Sequence, residues 1–241
     1  MRSVREKPAR NRQSSCFDCV RDAKSLFCGL PEAALRNLDG VKSTGTYSRG
    51  QILFQAGNRP MGIHCIEEGL IKLYRIGPSG KEQIIRLAVP GDMLGYRAML
   101  GEAPHDQYAQ AVTDVRVCFI PIESIRFLLR GTPPLMRNMA RNLSSEISGI
   151  EDRLLQRSQH KAEDRLIGFL LRCAEGMRPA NGRIEIPLSR QEIADFIGAA
   201  PETVIRALGR LQRKKLISVH GRHLDIPNPE KLAAHLQSSI W

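Results

Sequence analysis

Hydrophobic and polar positions follow different periods in different parts of the chain. From Tyr47 to Ile120 short apolar runs alternate with turn residues. The runs are Gln51-Ile-Leu-Phe54, Gly62-Ile-His-Cys-Ile66, Leu70-Ile-Lys-Leu-Tyr-Arg-Ile76, Gln83-Ile-Ile-Arg-Leu87 and Val115-Arg-Val-Cys-Phe-Ile120. Gly57-Asn58, Gly69, Gly77-Pro78-Ser79-Gly80, Pro90-Gly91-Asp92 and Gly101 break them. This pattern predicts a many-stranded antiparallel domain with tight hairpins, a barrel or jelly roll. Just before it, Leu30 to Leu38 starts with Pro31 and sets Ala34, Leu35 and Leu38 on one side, predicting a short helix.

Beyond Pro121 the period changes. Across Pro134 to Gln159 apolar residues fall at Met136, Met139, Leu143, Ile147, Ile150 and Leu154, in steps of three or four. Such a near-heptad seam on a long helix fits a second copy of the chain, making a homodimer, or the chain's own barrel. Another amphipathic helix, Lys161 to Glu175, offers Leu166, Phe169, Leu170 and Cys173 for burial. Leu188 to Gly198 then opens on Ser189 with Glu192 three residues on, a capping box, and closes on Gly198, a natural helix-terminating residue. A second helix begins at Pro201, runs to Lys215 and buries Val204, Leu208 and Leu211. Two short helices joined by a glycine-containing turn make a helix-turn-helix, and Leu216 to Ile226 alternates around Gly221 like a two-stranded wing. The expected organisation is therefore α+β: a sensor domain over 16–130, a long helix over 131–160 and a winged helix-turn-helix over 161–241.

Charge narrows the class of partner. The chain's 36 Lys and Arg outnumber 25 Asp and Glu, giving +11, so a polyanion such as duplex DNA is expected. Residues 1–15 carry five cations against Glu6 and read as a disordered basic tail. No apolar run reaches the roughly 20 residues of a membrane span, and no apolar stretch follows the N-terminal charges, so no membrane association and a cytoplasmic location are expected. In such a reducing compartment the six cysteines are free thiols or metal ligands rather than disulfides. Cys65, in a strand, and Cys173, on a helix's apolar side, read as core, as does His64. Nucleotide-binding loops, zinc-protease and serine-hydrolase motifs are missing, which removes the main support for an enzyme.

With Val204, Leu208 and Leu211 facing inward, Glu202, Ile205 and Arg206 point outward, where a recognition helix meets base edges. Arg206 can donate two bonds to guanine, Glu202 can accept from cytosine N4, and Ile205 can touch a thymine methyl. From Arg206 to Arg222 there are six cations and no acid. Arg210, Arg213, Lys214 and Arg222, with Ser189, Arg190 and Gln191 on the first helix, are the candidate phosphate contacts. Ala199-Ala200 precedes the second helix in place of a hydroxyl cap, a deficit of roughly 1 kcal/mol.

Ser189-Arg-Gln-Glu-Ile-Ala, Gly198, Glu202-Thr-Val-Ile-Arg206, Leu211 and Leu216-Ile-Ser-Val-His-Gly221 resemble the winged helix-turn-helix of the Crp/Fnr family of bacterial transcription regulators. The likeness continues through Gly50, Gly57, Gly69, Leu70-Ile-Lys-Leu-Tyr74 and Gly80. It implies a jelly-roll sensor of the cyclic-nucleotide-binding type, a dimerisation helix and a DNA-binding domain in that order. It also implies a pseudo-palindromic operator with TTGAT-type half-sites, Glu202 and Arg206 as base readers, and contact with RNA polymerase if the protein activates.

Cys16-x2-Cys19-x8-Cys28 together with Cys118 resembles the cysteine set with which the Fnr branch ligates an oxygen-sensing [4Fe–4S] cluster, and four thiolates are the number such a cluster needs. Zinc, a thiol redox switch or no ligand are the alternatives for the same residues. Relatives that bind cyclic AMP hold the ribose with a Glu and the phosphate with an Arg. Here Tyr96 and Gln107-Tyr108 stand at those places, with Arg97 nearby, so cyclic AMP is not expected and another small effector is the alternative.

Overall fold

The structure, a computed structural model, describes residues 15–19, 25–176, 186, 188–221 and 223–240. The basic tail before Ser15 and the candidate phosphate contact Arg222 lie outside them.

After the single-turn helix α1 (Cys16–Cys19), Pro31 starts α2 (Glu32–Val41), which buries Ala34, Leu35 and Leu38. Eight strands follow: β1 (Ser43–Tyr47), β2 (Ile52–Phe54), β3 (Gly62–Glu68), β4 (Ile71–Ile76), β5 (Glu82–Ala88), β6 (Met93–Leu94), β7 (Tyr108–Ala111) and β8 (Val115–Pro121), with α3 (Tyr96–Leu100) between β6 and β7. They form two antiparallel four-stranded sheets, ordered β1-β8-β3-β6 and β2-β7-β4-β5. Ile66, Ile71, Leu73, Ala109, Val115 and Val117 fill the space between them, the interior of a jelly roll.

The helical part begins with α4 (Ile122–Gly131) and the long α5 (Pro133–Gln159). It continues through α6 (Ala162–Gly176), α7 (Arg190–Ile197) and α8 (Pro201–Arg213). The wing hairpin β9 (Ser218–His220) and β10 (His223–Asp225) precedes α9 (Pro229–Ile240). At 27 residues α5 is roughly 40 Å long. Its first turns pack on the sensor domain: Leu135, Asn138 and Met139 are buried, and the Asn138 amide donates to the carbonyls of Leu26 and Cys28. Met139 therefore has to be removed from the proposed dimer seam, because it is fully buried among Leu35, Ile120 and Ile125 of its own chain. Leu143 packs partly against the same core. The other seam positions are different: Met136, Ile147, Ile150 and Leu154 are 40–62% exposed.

Along β4, Ile71, Lys72, Leu73 and Tyr74 are all buried, although an antiparallel strand with one wet face alternates. Leu73 points into the jelly roll, while Tyr74, with Ile84 and Leu87 of β5, joins one apolar cluster with Phe169, Ile193 and Phe196 of α6 and α7. The helix-turn-helix covers the outer face of the β4–β5 hairpin.

Candidate nucleic-acid interface and sensor region

Helix α7 is held at both ends. Ser189 accepts from the Glu192 backbone N–H at 3.1 Å, and the Glu192 carboxylate accepts from Ser189 N at 2.9 Å. Gly198 ends the helix at φ +66°, and its left-handed conformation turns the chain into α8. Ala200 gives α8 no side-chain cap, leaving Pro201 at the first helical position to set the backbone. Val204, Ala207, Leu208 and Leu211 of α8 are buried. Glu202, Ile205 and Arg206 lie exposed on the opposite side, with Ile205 55% accessible and the Arg206 side chain donating to the Glu202 carbonyl one turn back.

The candidate phosphate contacts divide into free and engaged groups. Arg213 and Gln191 are exposed, Gln191 bonding Asp195 one turn on. Arg210 pairs with Glu163 of α6 at 2.5 Å, and Lys214 reaches the same carboxylate at 3.9 Å and His235 at 3.1 Å. A phosphate would have to compete with Glu163 for both. Ser189 serves the cap, and Arg190 donates to the Gly221 carbonyl at 3.0 Å, fastening α7 to the wing.

The link between sensor and reader is a feature that sequence reasoning missed. Lys72, 7% exposed on β4, bridges Glu82 of β5 at 3.0 Å and Glu192 of α7 at 3.1 Å. Burial alone would push its amine down, but the two carboxylates raise it above the ordinary lysine value. Beside it, the Gln83 amide donates to the Asp195 carbonyl at 2.7 Å. An isolated lysine within an apolar strand is the only signal of this link along the chain.

In the sensor, Tyr96 is buried and its hydroxyl donates to Glu146 of α5 at 2.8 Å. Glu146 also takes Arg86, which holds Asp92 at 3.1 Å. Burial, followed by the Glu146 charge, raises the Tyr96 phenol and keeps it a donor. Tyr96, Arg97 and Gln107 line a small void of about 20 Å³ and also the sensor end of a larger cavity of about 720 Å³ that runs along α5.

Of the candidate thiols, Cys16 and Cys118 are buried in one cluster with α2 and β3, and Cys28 is half-buried in the turn over Asn138. The Cys19 side chain lies outside the described residues. Lys42 is 4% exposed at its side chain and pairs with Asp39 at 2.7 Å, and Asp39 accepts from Cys16 N at 2.8 Å. Burial lowers the Lys42 amine, but Asp39, Cys16 and Cys118 together raise it. Among the described residues no three Cys, His, Asp or Glu side chains assemble as a metal site. Cys65, read as core, is also the direct cross-strand neighbour of Cys118. Cys173 is buried and its thiol pushed up to about 12 by that burial.

Residues 44–131 match the cyclic nucleotide-binding domain, and residues 164–235 match the Crp-like helix-turn-helix domain. The chain is 33% identical over 241 residues to the fumarate and nitrate reduction regulatory protein of Vibrio cholerae serotype O1, covering 95% of each. It is also 33% identical over 224 residues to the protein of that name from Escherichia coli strain K12, covering 90% of this chain and 88% of that one. Among solved structures, FixK2 from Bradyrhizobium japonicum shares the fold at a TM-score of 0.69 and 24% identity, over 80% of this chain and 96% of that chain. A CRP/FNR-family transcriptional regulator from Thermus thermophilus gives 0.65 at 22%, over 81% and 98%. Among the described residues no helix is long and apolar enough to cross a membrane.

Proposed function

The chain belongs to the Crp/Fnr family of DNA-binding transcription regulators, and on that premise we propose that it reads a pseudo-palindromic operator as a homodimer through Glu202, Ile205 and Arg206. The observation carrying this reading is the outward face of α8, a contiguous exposed set on a helix whose other side is locked into the core. Arg213, Arg210 and Lys214 supply the phosphate attraction, the last two by exchanging Glu163 for the DNA backbone. Half-sites about one helical turn apart suit two such helices related by a two-fold axis. The test is binding to operator and random duplexes over a salt series. Arg206→Ala should lose roughly 1–3 kcal/mol on the operator and relax one base position, whereas Lys214→Ala should weaken all sequences alike and flatten the salt slope. Equal losses on operator and random DNA for Arg206→Ala would remove its role as a base reader.

A finer reading concerns the signal. The relatives named for fumarate and nitrate reduction support a redox-responsive cofactor, and Cys16, Cys19, Cys28 and Cys118 as ligands of a [4Fe–4S] cluster are the proposed form. Cys16 and Cys118 beside Lys42 suit an anionic thiolate group, since the buried amine offsets negative charge. Among the described residues, which leave out the Cys19 side chain, no third ligand group completes a metal site, so they fit the cluster only in part. Iron, sulfide and zinc analysis of anaerobically purified protein separates the cluster from zinc and from a plain thiol switch. Full iron content in either Cys28→Ser or Cys118→Ser would overturn the ligand assignment. Cyclic AMP lies outside this reading, because Tyr96, bonded to Glu146, and Gln107 stand where cyclic-AMP-binding relatives place the Glu that holds the ribose and the Arg that holds the phosphate. A cytoplasmic location and, for an activator, contact with RNA polymerase complete the proposal.

A further inference from the structure

A cavity of about 720 Å³ runs from the sensor sheet along α5 to α6 and the end of α7. Its lining holds six arginines against three carboxylates, and they are unevenly placed. At the sensor end Arg86 is matched by Asp92 and Glu146, and Arg97 lies within 4 Å of Glu146 and Asp106. At the far end Arg153 and Arg157 of α5 face Arg165 and Arg172 of α6. None of these four forms an ion pair among the described residues, and Asp152 is the only carboxylate lining that end.

The carbonyls at the C-terminus of α7 account for part of this cluster. Arg165 donates to Ile197 O at 2.8 Å, to Gly198 O at 3.2 Å and to His160 O at 2.6 Å. Arg157 lies over Gly198, where an added Cβ would meet its Nε at 2.9 Å. Arg153 rests on the Phe196 ring at 5.9 Å, and neither its guanidinium nor that of Arg172 has a hydrogen-bond acceptor among the described residues. Burial, then Arg172, Arg86 and Arg157, makes Arg153 harder to keep charged than an ordinary arginine. Room for an occupant comes from Gly149 on α5 and Gly168 on α6, which line the cavity and carry nothing within 4 Å of where a side chain would start.

Like charges gathered around one cavity repel one another, and guanidinium forks match phosphate oxygens two at a time. We propose that this arginine-lined end of the cavity binds a small polyphosphate, an anion with at least two linked phosphate groups. Linked phosphates can bridge Arg153 and Arg157 to Arg172, each phosphate adding oxygens for a further guanidinium. The occupant ties the long helix to α6 and, through Phe196 and Ile197, to the end of α7, the first helix of the helix-turn-helix, and is thus placed to act as an effector.

The test is calorimetric titration of the full chain with inorganic tripolyphosphate at physiological ionic strength. Micromolar binding is expected in the wild type, weakened at least about tenfold in Arg153→Gln and in Arg172→Gln, and unchanged in Arg206→Ala on the DNA-reading face. Arg172 is exposed, so its replacement leaves the fold intact. A parallel titration with a nucleoside triphosphate identifies the source: tighter binding than tripolyphosphate assigns a nucleotide, and equal binding assigns the inorganic chain. Absence of binding at millimolar tripolyphosphate would overturn the proposal. So would equal weakening by Arg206→Ala, or unchanged binding in both cavity variants.

Discussion

His64 lies on β3 between the rings of Phe54 and Phe119, 8% exposed, with its Nδ1 buried and without a hydrogen-bond partner among the described residues. Burial, with a smaller contribution from His105, brings its imidazole down from 6.5 to about 4. The folded value lies below the unfolded one, so the neutral ring's contribution is complete above pH 6.5 and is lost as pH falls from there toward 4, in total roughly 3 kcal/mol. Acid titration followed by chemical denaturation should show this slope, and His64→Leu should flatten it. Parallel pH profiles for wild type and variant would contradict the assignment. The apolar run around His64 places it in a strand but says nothing of this cost, which depends on two rings from other strands. The cap on α7 is legible, because Ser189 and Glu192 are three residues apart. The role of Lys72 is not, because its partner Glu192 is 120 residues away.

Elements with strong local signals are readable and those defined by their neighbours are not. Strands β2 to β5 and β8 carry apolar runs bounded by glycine or proline, and their positions follow. Strand β1, Ser-Thr-Gly-Thr-Tyr, has little to bury and exists through its register with β8, while β6 has two residues and β7 is Tyr-Ala-Gln-Ala. Helices α4 and α9 are absent from the sequence-based expectations, although α4 turns Ile125 and Leu128 inward with ordinary helical spacing. On α5 the apolar seam is one pattern serving two purposes: Met139 packs at home, while Ile147, Ile150 and Leu154 remain 40–62% exposed. Covering each of these by a second copy contributes up to roughly 1.5–3 kcal/mol. Sedimentation should therefore find the wild type dimeric with or without air, and Ile150→Asp monomeric and folded. A monomeric air-treated wild type would refute this use of the seam. Met139→Asp differs in kind, since a buried charge there damages the sensor core instead.

Across the whole molecule, the β4–β5 hairpin and the helix-turn-helix share one apolar cluster, reinforced by Lys72 and Gln83. Two domains joined this way melt together as long as the junction outlasts either core. Calorimetry should show one transition for the wild type. Ile84→Asp places a carboxylate at a 5% exposed position in that cluster and should separate the trace into two. A single transition in the variant would mean that the domains are coupled elsewhere.

The two oxygens of Glu192 have separate duties: Oε2 completes the cap with Ser189, and Oε1 takes Lys72. This division matters for descent. A lineage can remove this polar link between sensing and reading by changing Lys72 and still inherit an undamaged reader. A change at Glu192 forfeits the tie and the helix start together. Sensors can accordingly diverge toward new signals while the reading head stays the same, with the record of that divergence accumulating on the β4–β5 side of the junction.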